Sequence, residues 1–181
     1  MLIVYDRETR QVVGHCGQIF ENGEWREPTV DEVFGHLKLA TLEALYVNEV
    51  TEAKLFRYGP ENLRLAFDEK GTATGIELKP ALKLRCDARD ADGDGVPDLP
   101  ADGAAATVVT ASTTDRAAGV AITFRTTHGA LSSRTATTTQ DGAASVNLRA
   151  STETVLATVT ATADGYRSGS LQLEMIPGAP S

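Results

Sequence analysis

No stretch of this chain approaches eighteen consecutive apolar residues, so no membrane-spanning helix is expected. The first residues, Met1-Leu-Ile-Val-Tyr-Asp6-Arg7, lack a basic start followed by a long apolar run, so no secretion signal is read there. Basic residues are scarce: 17 Lys and Arg stand against 25 Asp and Glu over 181 residues, a net charge of −8. Nothing forms a basic stripe, which argues against nucleic-acid binding. The two cysteines, Cys16 and Cys86, could pair or stay free, and the sequence leaves both open. Serine, histidine and aspartate are present, but no G-x-S-x-G elbow or other local triad signature places them together. No catalytic residue is therefore assigned.

The acidity is concentrated. Residues 87–103 hold six Asp and one Arg, whereas residues 104–181 hold five acids and five Arg and no lysine at all. This acidic stretch divides two halves of different composition. The expected organisation is a small α+β domain over residues 1–86, an acidic linker over 87–103, and an all-β sandwich over 104–181.

In the first half, Leu2-Ile-Val-Tyr5, the turn-prone Asp6–Thr9 and Gln11–Cys16 predict a β-hairpin. Gln18-Ile-Phe20 is expected to extend its sheet. Thr29-Val-Asp-Glu32 after Pro28 matches a capping box. Val33, Phe34, Leu37, Leu39, Leu42, Leu45 and Tyr46 then recur at roughly helical spacing and predict a helix, with Gly35 and the Lys38-Leu39 region as the places where it could split. Leu63, Leu65 and Phe67, the turn Asp68–Gly71, and Ile76 with Leu78 predict a second hairpin. His15 and Cys16 are neighbours on a strand and face opposite ways, so they make no nucleophile–base pair. His36 is read as structural. Tyr5, Phe20, Trp25, Phe34, Tyr46, Phe56, Tyr58 and Phe67 are read mainly as core, with Trp25 in its charged turn the candidate anchor for a partner.

The acidic stretch carries the one sharp motif. Counting Asp90 as the first position, carboxylates stand at one, three, five and nine (Asp90, Asp92, Asp94, Asp98) with Gly95 at six. Alternating carboxylates and glycines let a loop wrap oxygen ligands around a hard cation. The twelfth position is Ala101 rather than a bidentate Glu, and Pro97 and Pro100 oppose a following helix, so a helix–loop–helix calcium sensor is not expected. The string Asp90-Ala-Asp-Gly-Asp-Gly-Val-Pro-Asp98 resembles one thrombospondin type 3 calcium repeat. That resemblance implies a structural Ca2+ held by Asp90, Asp92, Asp94, Val96, Asp98 and Asp102, the last falling four residues after Asp98 where the repeats usually have three. The competing reading is a solvated acidic linker whose charges keep the two halves apart. With calcium, the expectation is a stiffened joint.

From Ala104 onward the pattern is β. Ala106–Ser112, Val120–Arg125, Arg134–Thr139, Ala144–Arg149, Val155–Thr162 and Ser170–Met175 are Thr- and Val-rich runs separated by turn residues. Strands at that spacing predict a β-sandwich, and with no cysteine pair or strand tryptophan the core must be aliphatic. Ala101-Asp-Gly103, Thr107-Val-Val-Thr-Ala111, Gly119-Val-Ala-Ile-Thr-Phe124, Gly129-Ala-Leu-Ser132, Thr137–Gly142, Ala144-Ser-Val-Asn-Leu148 and Ala157-Thr-Val-Thr-Ala161 resemble the group 1 bacterial immunoglobulin-like domain of invasin- and intimin-type adhesins. The turn Asp115-Arg-Ala-Ala-Gly119 is shorter than the family's.

Tyr58–Gly71 is similar to small uncharacterised proteins of tailed bacteriophages. Adhesin-type domains usually belong to secreted proteins, and a phage product made in the host cytoplasm would reach the outside by lysis. The leading expectation is therefore a non-enzymatic structural protein of a tailed-phage virion. Its first half would dock on capsid or tail proteins in several copies, and its sandwich would project outward, possible host-surface glycans among its contacts. The alternative is a bacterial cell-surface or secreted adhesion module. A third reading is an enzyme with its site in residues 1–86.

Overall fold

The computed structural model describes residues 1–37, 41–47 and 53–177. They fall into two units with separate cores, Met1–Lys79 and Pro80–Ser181. The division lies upstream of the expected one at 86 and 87, because residues 82–86 form a strand of the second unit.

In the first unit, β1 (Leu2–Asp6) is the middle strand of a three-stranded antiparallel sheet. Leu2, Ile3 and Val4 are fully buried, which suits an unbroken apolar run. One flank is β2 (Val12–Cys16), the expected hairpin partner. Asp6 closes the turn by accepting hydrogen bonds from the N–H groups of Glu8 and Thr9 at 2.9 and 2.7 Å.

Two expectations fail here. Ile19–Glu21 (β3) does not extend the sheet; it pairs with Glu24–Arg26 (β4) in a separate hairpin. The helix is also much shorter than its apolar spacing suggests. The capping box forms, with Glu32 N–H on Thr29 Oγ1 and Thr29 N–H on Glu32 Oε2, and opens α1 (Val30–Phe34). A 3-10 turn (Gly35–Leu37) follows, and Leu42–Tyr46 is a strand, β5, on the other flank of β1. Leu39 lies outside the described residues. The physical reason is β1 itself: its buried backbone needs hydrogen-bond partners on both edges, and β5 supplies the second set. Phe34 still contributes to packing, since a Cβ placed on Gly14 would stand 2.6 Å from its ring.

The second hairpin forms as expected from β6 (Leu63–Phe67) and β7 (Ala73–Leu78). Ile3, Tyr5, Val12, Leu63, Leu65 and Ile76 make this unit's core. Of the aromatics, Phe20, Trp25, Tyr46 and Tyr58 are exposed rather than core, and the Phe20 and Trp25 rings meet at a tilt of 55° with centres 5.2 Å apart.

The second unit is a two-sheet sandwich. Its strands are β8 (Leu82–Cys86), β9 (Asp98–Pro100), β10 (Ala106–Thr113), β11 (Ala121–Thr126), β12 (Ala130–Leu131), β13 (Thr135–Thr137), β14 (Ala143–Arg149), β15 (Val155–Thr162) and β16 (Gly169–Ile176). One sheet runs β12-β14-β10-β8 and the other β13-β11-β15-β16-β9. In immunoglobulin lettering these contain the A-B-E-D and C-F-G orders, with β9 added parallel to the last strand. Between β11 and β14 the chain visits both sheets, pairing first with β14 and then back with β11.

Alternation explains the interior. Thr107, Val109, Ala111 and Thr113 of β10 point inward, as do Ile122 and Phe124 of β11 and Ala157, Val159 and Ala161 of β15. The core is aliphatic apart from Phe124, as expected. The buried hydroxyls are paired: Thr113 Oγ1 donates to Gly142 C=O and Thr107 Oγ1 donates to Asp87. Gly142, at φ +75°, closes the tight turn into β14, and any Cβ there would collide with the backbone of Arg116.

Candidate metal centre

The aspartate loop is not the connection between the two units. It begins after β8, on one sheet, and delivers the chain to β9, on the other. The expected linker over residues 87–103 is therefore a crossover inside the sandwich. A bound ion would stiffen this strand switch rather than an interdomain joint.

The loop shapes itself through its own carboxylates. Asp90 accepts from Gly93 N–H at 2.7 Å and Gly95 N–H at 2.8 Å, Asp92 from Asp94 N–H at 3.2 Å, and Asp94 from Val96 N–H at 2.8 Å. These are successive Asx turns, and Gly93 and Gly95 supply the positive φ, +84° and +93°, that turns of this tightness demand. The N–H groups of Gly95 and Gly93 also hold the Asp90 carboxyl below the usual carboxylate range. At the head of the loop, Asp87 accepts from Thr107 Oγ1 at 2.6 Å and Val108 N–H at 2.8 Å, which pins it to β10.

Two triplets of acids converge. Asp90, Asp92 and Asp98 each place a carboxylate oxygen within 4.8 Å of the others, and so do Asp92, Asp94 and Glu174. Asp92 belongs to both. Calcium takes oxygen ligands at about 2.3–2.6 Å, so opposite ligands of one ion lie roughly 5 Å apart, and each triplet fits within a single coordination shell. Among the described residues, none of these five acids forms an ion pair.

Asp98 tests whether a cation fits. It is 8 % exposed, one oxygen accepts from Ala91 N–H at 2.7 Å, and the other, Oδ1, is buried with no hydrogen-bond partner. A buried carboxylate oxygen facing other carboxylates without a donor is costly unless a cation satisfies it. The donor set is all oxygen, as a hard cation requires.

Four of the expected ligands, Asp90, Asp92, Asp94 and Asp98, are thus brought together. Asp102 is not in either triplet: its carboxylate accepts from Ala104 and Ala105 N–H at 2.8 and 2.6 Å and caps the turn into β10. Val96 is half-buried beside the cluster and spends its N–H on Asp94. The residue that sequence reasoning missed is Glu174, in the middle of β16. It is paired across the parallel ladder with Asp98, and burial together with Asp94, Asp92 and Asp98 pushes its carboxyl above the usual range.

Elsewhere the chemistry is sparse. His15 is exposed and Cys16 half-buried on alternate positions of β2, so they face apart as expected, and Cys16 and Cys86 are free thiols. A cleft of about 590 Å³ beside β11 and β12 is lined by Thr123, Arg125, Leu131 and Arg134 among others, with no carboxylate, histidine or cysteine among the described residues of its wall. No helix among the described residues is long and apolar enough to cross a membrane.

No family model matches the chain, and no curated protein does. Among solved structures, it is similar to a C-terminal 282-residue fragment of intimin in complex with the intimin-binding domain of the translocated intimin receptor. That likeness has 26 % identity over 51 % of this chain and 31 % of that one, with a TM-score of 0.42. The adhesin InvE of Yersinia pseudotuberculosis is 21 % identical over 55 % of this chain and 27 % of its own, at 0.40. The D00-D0 domain of intimin is 18 % identical over 76 % of this chain and 72 % of its own, at 0.42. The chain thus spans about a third or less of the first two. All three likenesses are partial, and the immunoglobulin-like character of the second unit rests on its own strand order.

Proposed function

We propose that the two units are two domains, and that the second is a calcium-stabilised immunoglobulin-like module of an adhesion-type surface or secreted protein. Its task is to present and space a binding surface rather than to catalyse a reaction. Asp98 carries the metal part of this reading. A buried carboxylate with an oxygen that no protein group satisfies, set among Asp90, Asp92, Asp94 and Glu174, is the donor arrangement a structural calcium ion requires. The adhesion part is supported by the group 1 sequence resemblance over residues 101–161 and by a strand order of the immunoglobulin kind. The virion reading draws its support from the similarity of residues 58–71 and the export argument alone, so the adhesion module is preferred.

When bound, calcium would supply charge neutralisation and oxygen coordination at the strand switch. The loop's own residues do the rest: the glycines turn it, and Asp87 anchors it. Calorimetric titration of the purified chain with Ca2+, and separately with Mg2+, tests the metal. Stoichiometric heat with Ca2+ and a much weaker response to Mg2+, which demands a tighter octahedral shell, is expected. A flat Ca2+ isotherm would reduce the loop to a solvated crossover.

A further inference from the structure

Strand β9 is held to its sheet by very little. It has three residues, it lies at the edge, and one of the three, Pro100, has no N–H to donate. Its ladder pairs Asp98 with Glu174, Leu99 with Met175 and Pro100 with Ile176. Glu174 N–H on Pro97 C=O (2.8 Å) and Ala101 N–H on Ile176 C=O (2.7 Å) brace the two ends. Leu99 contributes the one buried apolar side chain. Against this stands the pairing of two carboxylates: like charges directly abreast in a ladder destabilise it. Asp92 and Asp94 add two more on the same face. The seat of β9 is therefore opposed electrostatically by its own neighbours, and no basic residue among the described residues pairs with any of them.

The loop's motif does not include Glu174, yet the fold brings it into a triplet with Asp92 and Asp94, and Asp92 joins that triplet to Asp90 and the buried Asp98. We infer that Glu174 of β16 is a ligand of the bound cation, so that the ion clamps the edge strand β9 onto β16 and metal binding and strand seating are one event. This rests on the calcium reading above and adds to it a ligand from outside the loop and a mechanical consequence. With the ion in place, the carboxylates of loop, β9 and β16 are drawn to one centre. Without it, the repulsion across the Asp98–Glu174 pair loosens β9, uncovers the edge of β16 and lifts Leu99 from the core. An uncovered strand edge is a template for pairing with another chain.

The test uses the full chain, as wild type and as Glu174→Gln, a near-isosteric change that removes charge and leaves the core untouched. Calcium affinity is read by calorimetry, and seating of β9 by hydrogen exchange at the amides of Leu99 and Ala101, the latter bonded to Ile176 C=O of β16. In wild type, calcium is expected to slow exchange at those amides. In Glu174→Gln the affinity is expected to fall on the order of tenfold or more, the scale seen when a group supporting a metal site is removed. Without calcium the same variant is expected to exchange more slowly than wild type, because the like-charge pair is gone. Opposite signs in the two conditions are the mark of a ligand; loss of mere packing would weaken both. Glu153→Gln, at a carboxylate outside both triplets, is the control and should match wild type. If Glu174→Gln binds calcium as wild type does, the ion is held by the loop alone and the clamp is wrong while the calcium site stands. If wild type binds none, both fall together.

Discussion

The two units solve the same stability problem with different materials. In the first, the apolar core is small, and the ion pairs of the described residues all lie there: Met1–Glu27, Arg7–Glu43, Arg26–Glu21, Arg26–Glu32 and Arg64–Glu77. In the second, fifteen buried residues form one interior and the hydroxyls of Thr113 and Thr138 tie strand ends to backbone carbonyls. The difference follows from composition. From residue 104 onward the second unit is lysine-free and Thr- and Ala-rich, with few charges to pair and a clean alternation that buries one face of its strands. A segment with mixed charge and short elements must add caps and surface pairs, each of which contributes little. Core changes should therefore wound the second unit most, and changes to surface ion pairs should single out the first.

Phe124→Ala should have the largest effect. Phe124 is fully buried between the sheets, and removing such a ring costs about 3–5 kcal/mol. Urea denaturation followed by hydrogen exchange on peptides from β10 and β15 measures it. A loss below about 1 kcal/mol would mean that the sandwich closes around the gap more readily than a packed interior does.

Calcium comes next. An ion that binds the folded state alone adds about 2.7 kcal/mol at a hundredfold excess over its dissociation constant. Calorimetric melting should show the second unit gaining stability with Ca2+ and losing it with a chelator. Asp98→Asn should abolish the gain. In chelator it should be at least as stable as wild type, since a buried, unpaired charge has been removed. If the variant is less stable than wild type in chelator, Asp98 has a structural partner other than a cation.

A smaller loss is expected from Gly142→Ala, which forces a Cβ against the Arg116 backbone at φ +75° and should cost about 1–3 kcal/mol. Gly23→Ala is the matched change in the first unit: φ is +87°, but nothing stands within 4 Å of the added carbon, so only the backbone strain applies and the loss should be smaller. Thermal melts of the two variants compare crowded and open left-handed turns directly.

Much of this was readable in the chain because alternation and turn residues point the same way. The runs Ala106–Ser112, Ala144–Arg149 and Val155–Thr162 come within a residue of the observed strands. Leu42, Leu45 and Tyr46 misled because their spacing also suits a helix; only the unmet backbone of buried β1 decides for a strand. Leu82-Lys-Leu-Arg-Cys86 alternates as a strand should, but nothing local says which core it serves. β9 was hidden by Pro97 and Pro100, which read as loop. At the candidate site, spacing picked out four acids that the fold does bring together, while Asp102 shows that spacing does not say which way a carboxylate turns. Glu174 is brought in by strand pairing, which no local motif encodes.

The smallest effect sharpens the comparison most. Each unit has a carboxylate whose pKa is held down by its contacts, but the contacts differ in kind. Glu32 is held at about 2 chiefly by the Arg26 guanidinium, with Thr29 adding its N–H and hydroxyl. Asp87 is held low by the Thr107 hydroxyl and the Val108 N–H, both neutral donors. For each, the folded-state pKa lies below the unfolded one, so its stabilisation is present above the ordinary carboxylate range. It is lost as pH falls, for Glu32 from about 4.5 toward 2. Acid alone cannot tell the two apart. Salt can: at 1 M the screening length is about 3 Å, which weakens an exposed ion pair but leaves hydrogen bonds to neutral donors in place. Carboxyl titrations followed by nuclear magnetic resonance at low and high salt should show the Glu32 pKa moving up and the Asp87 pKa staying. Equal movement of both would mean that the charge-paired and hydroxyl-paired halves of the molecule are not electrostatically distinct.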